Sequence, residues 1–246
     1  MLQLLAKALR LIDWRYCRMA FGWCPVCAQR RLFVRLANSD IGIRCGRCRA
    51  SAVSLSLVDV LRRQLPALAG LDVYELSTRG PVHAWLQRQG ARVTGSEYRA
   101  GVPSGQWQDG VLCQDVQTLS FGDASFDLCT STDVFEHVAD DGAGFRELWR
   151  VLRPRGVCVF TVPLQATGTT IERARVAADG TIVHLLEPEY HGDPASVSDR
   201  ILALRNYGDD IGERLRQAGF ALVTLETPLH AWFGINRRVI VARKAV

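Results

Sequence analysis

The stretch FDLCTSTDVFEHVADDGAGFRELWRVLRPRGVCVFTVP, residues Phe126 to Pro163, decides the fold. Phe126 to Thr130 is a short, largely apolar run of the kind that fills a buried parallel strand. Over Asp141 to Leu152 the apolar residues Phe145, Leu148, Trp149 and Leu152 recur at spacings of three and four, the period of a helix face. Asp140 and Asp141 stand where a helix amino terminus favours negative charge. Pro154 and Gly156 end the helical pattern, and Val157 to Val162 is a second apolar run rich in β-branched residues. Strand, helix and strand in this order make a crossover unit of a parallel sheet.

Around that unit the 246-residue chain is 48% hydrophobic, enough for one large core with a small appendage. No apolar run approaches the roughly 20 residues that a membrane-spanning helix needs. The opening MLQLLAKALRLIDWRYCRM is broken by Lys7 and Arg10 and has no small-residue cleavage site. It does not read as a secretion signal, and a cytoplasmic protein is expected. Charge is unevenly spread. Residues 1–63 carry 12 Lys and Arg against 3 Asp and Glu, whereas residues 64–246 carry 18 against 22. A basic head fits an anionic partner such as nucleic acid, lipid headgroups or a phosphorylated substrate. It fits equally a small domain solvated by arginine.

Cys24-Pro-Val-Cys27 and Cys45-Gly-Arg-Cys48 form two Cys-x-x-Cys pairs with 17 residues between them. Four thiolates in two close pairs can close a tetrahedral shell around zinc. Leu32–Leu36 and Ile41–Arg44 can pair as a hairpin around Asn38-Ser39-Asp40, which completes a zinc ribbon. Two disulfides or free thiols are the alternatives, and a cytoplasmic setting disfavours disulfides. With four cysteine ligands the site is closed, hence structural rather than catalytic. Cys17, Cys113, Cys129 and Cys158 stand alone and read as small hydrophobes. Residues 2–19 carry apolar positions suited to an amphipathic helix packed on the ribbon. Ser51 to Leu68 is a second helical candidate. The division is therefore 1–50, basic helix and ribbon, and 51–246, the main α/β domain.

The quoted stretch also resembles the second half of the class I S-adenosylmethionine-dependent methyltransferase domain, of the type 11-like kind. The resemblance rests on Phe126-Asp127, on Glu136-His137 and on the Arg150-Val-Leu-Arg-Pro-Arg-Gly156 run, and it extends over about residues 70–244. It implies a doubly wound, Rossmann-like sheet of seven strands and S-adenosylmethionine as cofactor. Leu71–Leu76, Ala91–Glu97 and Gly110–Asp115 read as the first three strands, with a helix near His83–Gln89. Ligands of open α/β sheets lie beyond the carboxyl ends of the strands, where Glu75, Glu97 and Asp115 fall. Glu97 fits the acid that accepts hydrogen bonds from ribose hydroxyls. By resemblance, Asp115 meets the adenine amino group and Val116 the ring, with Tyr98 and Ser131 along the same site. The first loop departs from the family. Aligned on Glu75, the alternate glycines of the family are replaced by Ser77, Arg79 and Pro81, with Gly80 between. Either the loop still binds, with Pro81 opening the helix and Arg79 reaching the methionine carboxylate, or cofactor binding is weakened or lost.

After the second strand of the crossover, an insertion of about 163–205 lies over the acceptor side. It contains His184-Leu-Leu-Glu-Pro-Glu-Tyr-His-Gly-Asp193. Three readings stand for it. His191 or Tyr190 is a general base; Glu187, Glu189, His191 and Asp193 hold a second metal; or the loop is structural. His137 is a further catalytic candidate. Asp209–Ala218 reads as a helix, and Phe220–Glu226 with Arg237–Ala242 as the closing strands.

Methyl transfer is an in-line displacement in which the cofactor supplies the electrophile and the protein supplies position. The acceptor is therefore not written in the sequence. A small-molecule or glycan methyltransferase is the first reading. An RNA methyltransferase using the basic ribbon is the second, although the ribbon lacks an evident run of exposed aromatics for stacking. A zinc-ribbon adaptor without cofactor is the third. The oligomeric state is left open.

Overall fold

The computed structural model describes residues 13–165, 168–192 and 200–246. Most of the helix expected over residues 2–19 lies outside these. Within them, Trp14–Tyr16 forms a single 3-10 turn capped by Asp13, and the chain then extends. Strands β1 (Arg18–Cys24), β2 (Gln29–Arg35) and β3 (Ile43–Cys45) build a three-stranded antiparallel sheet. The expected hairpin is β2 with β3, in the register Phe33 to Cys45 and Val34 to Arg44. Strand β1 was not legible, because it is exposed along most of its length and is held by its backbone ladder to β2.

Helix α1 (Ala52–Gln64) starts at Ser51, whose hydroxyl accepts from the Ser54 amide. It ends at Leu65 rather than Leu68, because Pro66 disfavours helical geometry in the residue before it. Then follow β4 (Asp72–Glu75), α2 (Pro81–Arg88) and β5 (Arg92–Gly95). A small hairpin of β6 (Trp107–Gln108) and β7 (Val111–Leu112) precedes β8 (Phe126–Thr132), α3 (Asp141–Val151) and β9 (Leu152–Thr161). The insertion is a set of short two-stranded pieces. These pair β10 (Ile171–Glu172) with β15 (Arg205–Asn206), β11 (Ala174–Val176) with β12 (Ile182–His184), and β13 (Glu189–Gly192) with β14 (Arg200–Ala203). Helix α4 (Ile211–Gln217), β16 (Leu222–Glu226) and β17 (Val239–Arg243) close the chain.

The main sheet runs β16-β17-β9-β8-β4-β5. Strands β5, β4, β8 and β9 are parallel, and β17 is antiparallel to both of its neighbours. It has six strands, not seven. The expected third strand, Gly110–Asp115, touches β5's extension only through a parallel bridge between Glu97 and Cys113. Asp109 and Gly110 both take positive φ, 51° and 73°, and fold the segment back on Trp107–Gln108. The hairpin then uses backbone groups that a seventh strand would need: the Cys113 amide donates to Gln106 O at 2.8 Å.

Alternation along the strands divides the core in two. Val73, Leu128, Val157, Val159, Val239 and Val241 pack with α1, α2 and the ribbon residues Phe33 and Ile43. Tyr74, Cys129, Cys158, Phe160, Ile240 and Ala242 face the other way, toward α3 and α4. The residues carrying the sequence resemblance turn out to be staples at the amino edge of the sheet. Arg153 ion-pairs with Asp127 at 2.7 Å and with Asp72 at 2.9 Å. Arg150 donates to Phe121 O and Leu119 O and pairs with Glu147 and Asp123. Among the described residues no helix is long and apolar enough to cross a membrane.

Candidate functional site

At the opposite, carboxyl edge, β4 ends in Glu75 and β5 runs on to Glu97. Glu75 is 1% exposed and accepts from the Thr130 hydroxyl; burial pushes its pKa up to about 8. The loop Ser77–Gly80 then crosses over β5. A side chain at Gly95 would come within 2.7 Å of Ser77 O and 2.9 Å of the His83 ring, so glycine is required there by close approach. His83 Nδ1 stands 3.1 Å from Ser77 O, and Ser77 Oγ donates to Arg79 O at 3.0 Å. Gly80 takes φ 98° ahead of Pro81, the first residue of α2, with open space around it. Glu97 accepts from the Thr78 hydroxyl at 2.5 Å, and the Arg79 guanidinium lies 3.7 Å away. Arg79 is 58% exposed, so it stands at the rim of this edge rather than filling it.

Asp115 is held by Gln117, whose backbone and side-chain amides both donate to it. Val116 is buried against Phe135 and Gly144. Tyr98 is exposed. Ser131 is buried near the end of β8 with no partner for its hydroxyl. Next to it, Asp133 turns through φ 51° and accepts from Thr161 at 3.0 Å. Burial raises its pKa to about 6, with Arg237 opposing. The same Arg237 guanidinium binds Asp133 at 3.3 Å and the ribbon's Asp40. One cation thus ties the ribbon to the sheet's carboxyl edge. Beside it a cleft of about 350 Å³ is lined by Asp40, Pro163, Leu164, Gln165 and Asn236–Arg238. A second, of about 330 Å³, opens between Ala139–Asp141 and the insertion. Neither cleft includes Glu75, Glu97 or Asp115.

The insertion is clamped to the turn Phe135–His137 that follows β8. Buried Arg205 donates to Phe135 O at 3.1 Å and Ala139 O at 2.9 Å, and the Leu204 amide donates to Glu136 O. The Tyr207 hydroxyl donates to Asp141 at 2.8 Å. This clamp brings His191 of β13 up to Glu136 and His137, with the two imidazole centroids 5.0 Å apart. Glu136 raises the pKa of His191 against burial, and Glu189 adds to it. Tyr190 lies between Glu189 and His191 in sequence and so on the opposite face of β13; its half-exposed ring lies under Arg200. Of the metal set Glu187, Glu189, His191 and Asp193, the described residues Glu187, Glu189 and His191 do not form a group of converging ligand atoms. Glu187 contributes its carbonyl to Arg173, Glu189 binds His191 directly, and Asp193 lies outside the described residues.

At the ribbon, Cys24, Cys27, Cys45 and Cys48 bring their sulfurs within 4.8 Å of one another, with Cys24 Sγ 3.7 Å from Cys48 Sγ. A tetrahedron with Zn–S bonds of about 2.3 Å has S···S edges of about 3.8 Å. The four residues therefore fit a closed zinc shell. The Cys27 amide points at Cys24 Sγ at 3.4 Å, as a knuckle turn requires. Crowding favours one thiolate at the expense of its neighbour: Cys48 is drawn down to about 5 by Cys24, which is itself pushed up. Cys113, Cys129 and Cys158 are buried in the core.

The strand order, with its antiparallel β17 between β9 and β16, is that of the class I S-adenosylmethionine-dependent methyltransferase fold, here with an amino-terminal four-cysteine cluster of zinc-ribbon type. Residues 77–160 match the methyltransferase-domain family Methyltransf_11. Over 116 residues the chain is 31% identical to a demethylmenaquinone methyltransferase of Corynebacterium kroppenstedtii, covering 45% of this chain and 51% of that protein. Over 129 residues it is 29% identical to the Roseiflexus castenholzii enzyme of the same name, covering 51% and 54%. The chain thus spans about half the length of the curated relatives it matches. Among solved structures, it is similar to the Burkholderia thailandensis 1,6-didemethyltoxoflavin-N1-methyltransferase with bound 1,6-didemethyltoxoflavin and S-adenosylhomocysteine. That likeness has 22% identity, 76% coverage of each chain and a TM-score of 0.49.

Sequence reading missed Glu136, although it stands beside His137 in the quoted motif. It also missed the Asp40–Arg237–Asp133 link, for which nothing local gives a signal.

Proposed function

We propose that the chain transfers a methyl group from S-adenosylmethionine to a small-molecule acceptor. The observation that carries this reading is the pair of carboxylates, Glu97 and Asp115, standing beyond β5 and its bridge partner at the carboxyl edge of the sheet. Glu97 would take the ribose hydroxyls, Asp115 the adenine amino group and Val116 the ring face. The open backbone around Gly80, with Ser77, would meet the methionine end, while Arg79 stays at the rim beside Glu97. Ser131 offers an unpaired buried hydroxyl to the same edge. When bound, the cofactor supplies the electrophilic methyl group. The chain's residues orient it and keep the site dry, which is the protein's share of an in-line displacement. The relatives named for demethylmenaquinone favour a ring-bearing acceptor over a glycan. The clamped insertion, which carries His191 over to His137, would receive that acceptor. Calorimetry with S-adenosylhomocysteine, followed by labelled-methyl transfer to demethylated quinols, tests both halves. Absence of any binding heat or thermal shift would leave the non-catalytic adaptor reading in its place.

A second reading, RNA as acceptor, draws support from β1. Met19, Phe21 and Trp23 alternate along it, and all are exposed beside Arg18 and Arg30. Its two aromatic rings, Phe21 and Trp23, would supply the stacking surface that the sequence did not make evident. RNA binding that weakens steeply with salt and is lost in Phe21→Ala would favour this reading.

A further inference from the structure

We propose that Glu136, His137 and His191 form a binding site for a first-row divalent metal ion, separate from the four-cysteine cluster. Their ligand atoms all lie within 4.8 Å of one another. Glu136 is fully buried, and neither of its carboxylate oxygens has a hydrogen-bond partner. An ionised carboxylate left in that state is costly, so such groups are normally paired or bound to metal.

The two histidines do not relieve it by hydrogen bonding. His191 Nδ1 is 3.5 Å from Glu136 Oε1, and His137 Nε2 is 3.7 Å from the same oxygen. These separations are too long for hydrogen bonds. They suit neighbours around a shared ion, because ligands about 2.1 Å from one metal at a tetrahedral angle stand about 3.4 Å apart.

The far side of each ring supports the same assignment. His137 Nδ1 lies 2.8 Å from Leu202 O, which can only accept, so that nitrogen carries the proton and Nε2 presents a lone pair to Glu136. His191 Nε2 lies 3.2 Å from the Glu189 carboxylate; with the proton held there, Nδ1 would present its lone pair to an ion beside Glu136. Glu189 is itself fixed by Arg173 and Asn206 at 3.3 Å each. Outer partners that orient a histidine in this way are the usual surroundings of a metal-bound imidazole.

The donor set selects the ion. Two imidazoles and one carboxylate suit zinc, manganese, iron or cobalt, whereas magnesium and calcium prefer oxygen shells. Three protein ligands leave positions for water or for an oxygen of a bound molecule. On the methyl-transfer reading, that oxygen would belong to the acceptor.

The test uses the full chain with its cysteine site filled by one equivalent of zinc, without S-adenosylmethionine, so its outcome is independent of methyl transfer. Mn2+ is titrated in while the free aquo ion is followed by electron paramagnetic resonance, and total zinc is counted in parallel after loading with excess. One further equivalent of either ion per chain is expected. Its affinity should fall at least tenfold in Glu136→Gln, His137→Ala and His191→Ala, each checked for folding by circular dichroism and by retention of the cysteine-bound zinc. No uptake beyond the cysteine site in the unmodified chain, or uptake that survives all three substitutions, would overturn the proposal. The stoichiometry of the unmodified chain decides even where a variant fails to fold.

Discussion

The Arg79 guanidinium lies 3.7 Å from the Glu97 carboxylate, which also accepts from Thr78 at 2.5 Å. The loop lacking the family's alternate glycines is thereby tied to the acid expected to receive ribose hydroxyls. The ion pair is largely exposed, and such pairs contribute about 0–1 kcal/mol. Arg79→Ala should therefore change S-adenosylhomocysteine affinity by less than about tenfold. Glu97→Ala removes a charged acceptor worth about 1.5–3 kcal/mol, or roughly 10- to 150-fold in affinity. Calorimetry on both variants is the check, and a larger loss for Arg79→Ala would refute the assignment.

Glu75 gives the folded chain a pH dependence. Burial raises its pKa to about 8, above the ordinary carboxylate range. Folding then takes up a proton between the unfolded and folded values. The associated stability is complete below the unfolded pKa and is lost as pH rises through about 8. Glu75→Gln cannot ionise and still offers an acceptor to Thr130. Between pH 5 and 8 it should gain on the wild type by a few kcal/mol. Urea unfolding at the two pH values measures this; an unchanged difference would show that Glu75 ionises as freely folded as unfolded.

Metal loss should reach beyond the ribbon. Cys24 and Cys45 belong to the core that also holds Leu55 and Val58 of α1 and Val157 and Val159 of β9. Cys45→Ser should lose the cysteine-bound zinc and several kcal/mol of stability, roughly 10 °C in Tm for a chain of this size. Zinc content and thermal melting report the two effects together. An unaltered Tm after zinc loss would mean that the core holds without the metal.

Arg155 stands where the resembling family carries the first glycine of its Pro-Gly-Gly turn, and its φ is 64°. Its side chain is exposed, so nothing offsets the cost of a left-handed conformation. Arg155→Gly should raise stability by about 1 kcal/mol. Equilibrium denaturation would reveal a destabilised variant if Arg155 made a contact that the turn depends on.

Much of the carboxyl edge was legible because strand ends are marked by local chemistry. Glu97 follows the β-branched Val93 and Thr94, and Gly80 punctuates the turn beside it. The length of the sheet was not legible. Gly110–Asp115 reads as a strand, but the positive φ at Asp109 and Gly110 sends it into a hairpin, and that choice depends on Trp107–Gln108 being near enough to pair. The motif residues Asp127, Arg150 and Arg153 announced the fold and then took structural posts at the edge away from the site.

The sequence by itself determined the two Cys-x-x-Cys pairs and the strand–helix–strand crossover, because both depend on spacings of a few residues that the backbone converts directly into geometry. Only the tertiary structure decided that His191 meets Glu136 and His137, and that Arg237 joins Asp40 to Asp133. Those partners are far apart along the chain. Their approach is set by which strands become neighbours and by Arg205 clamping the insertion to the turn after β8, and no local pattern encodes either.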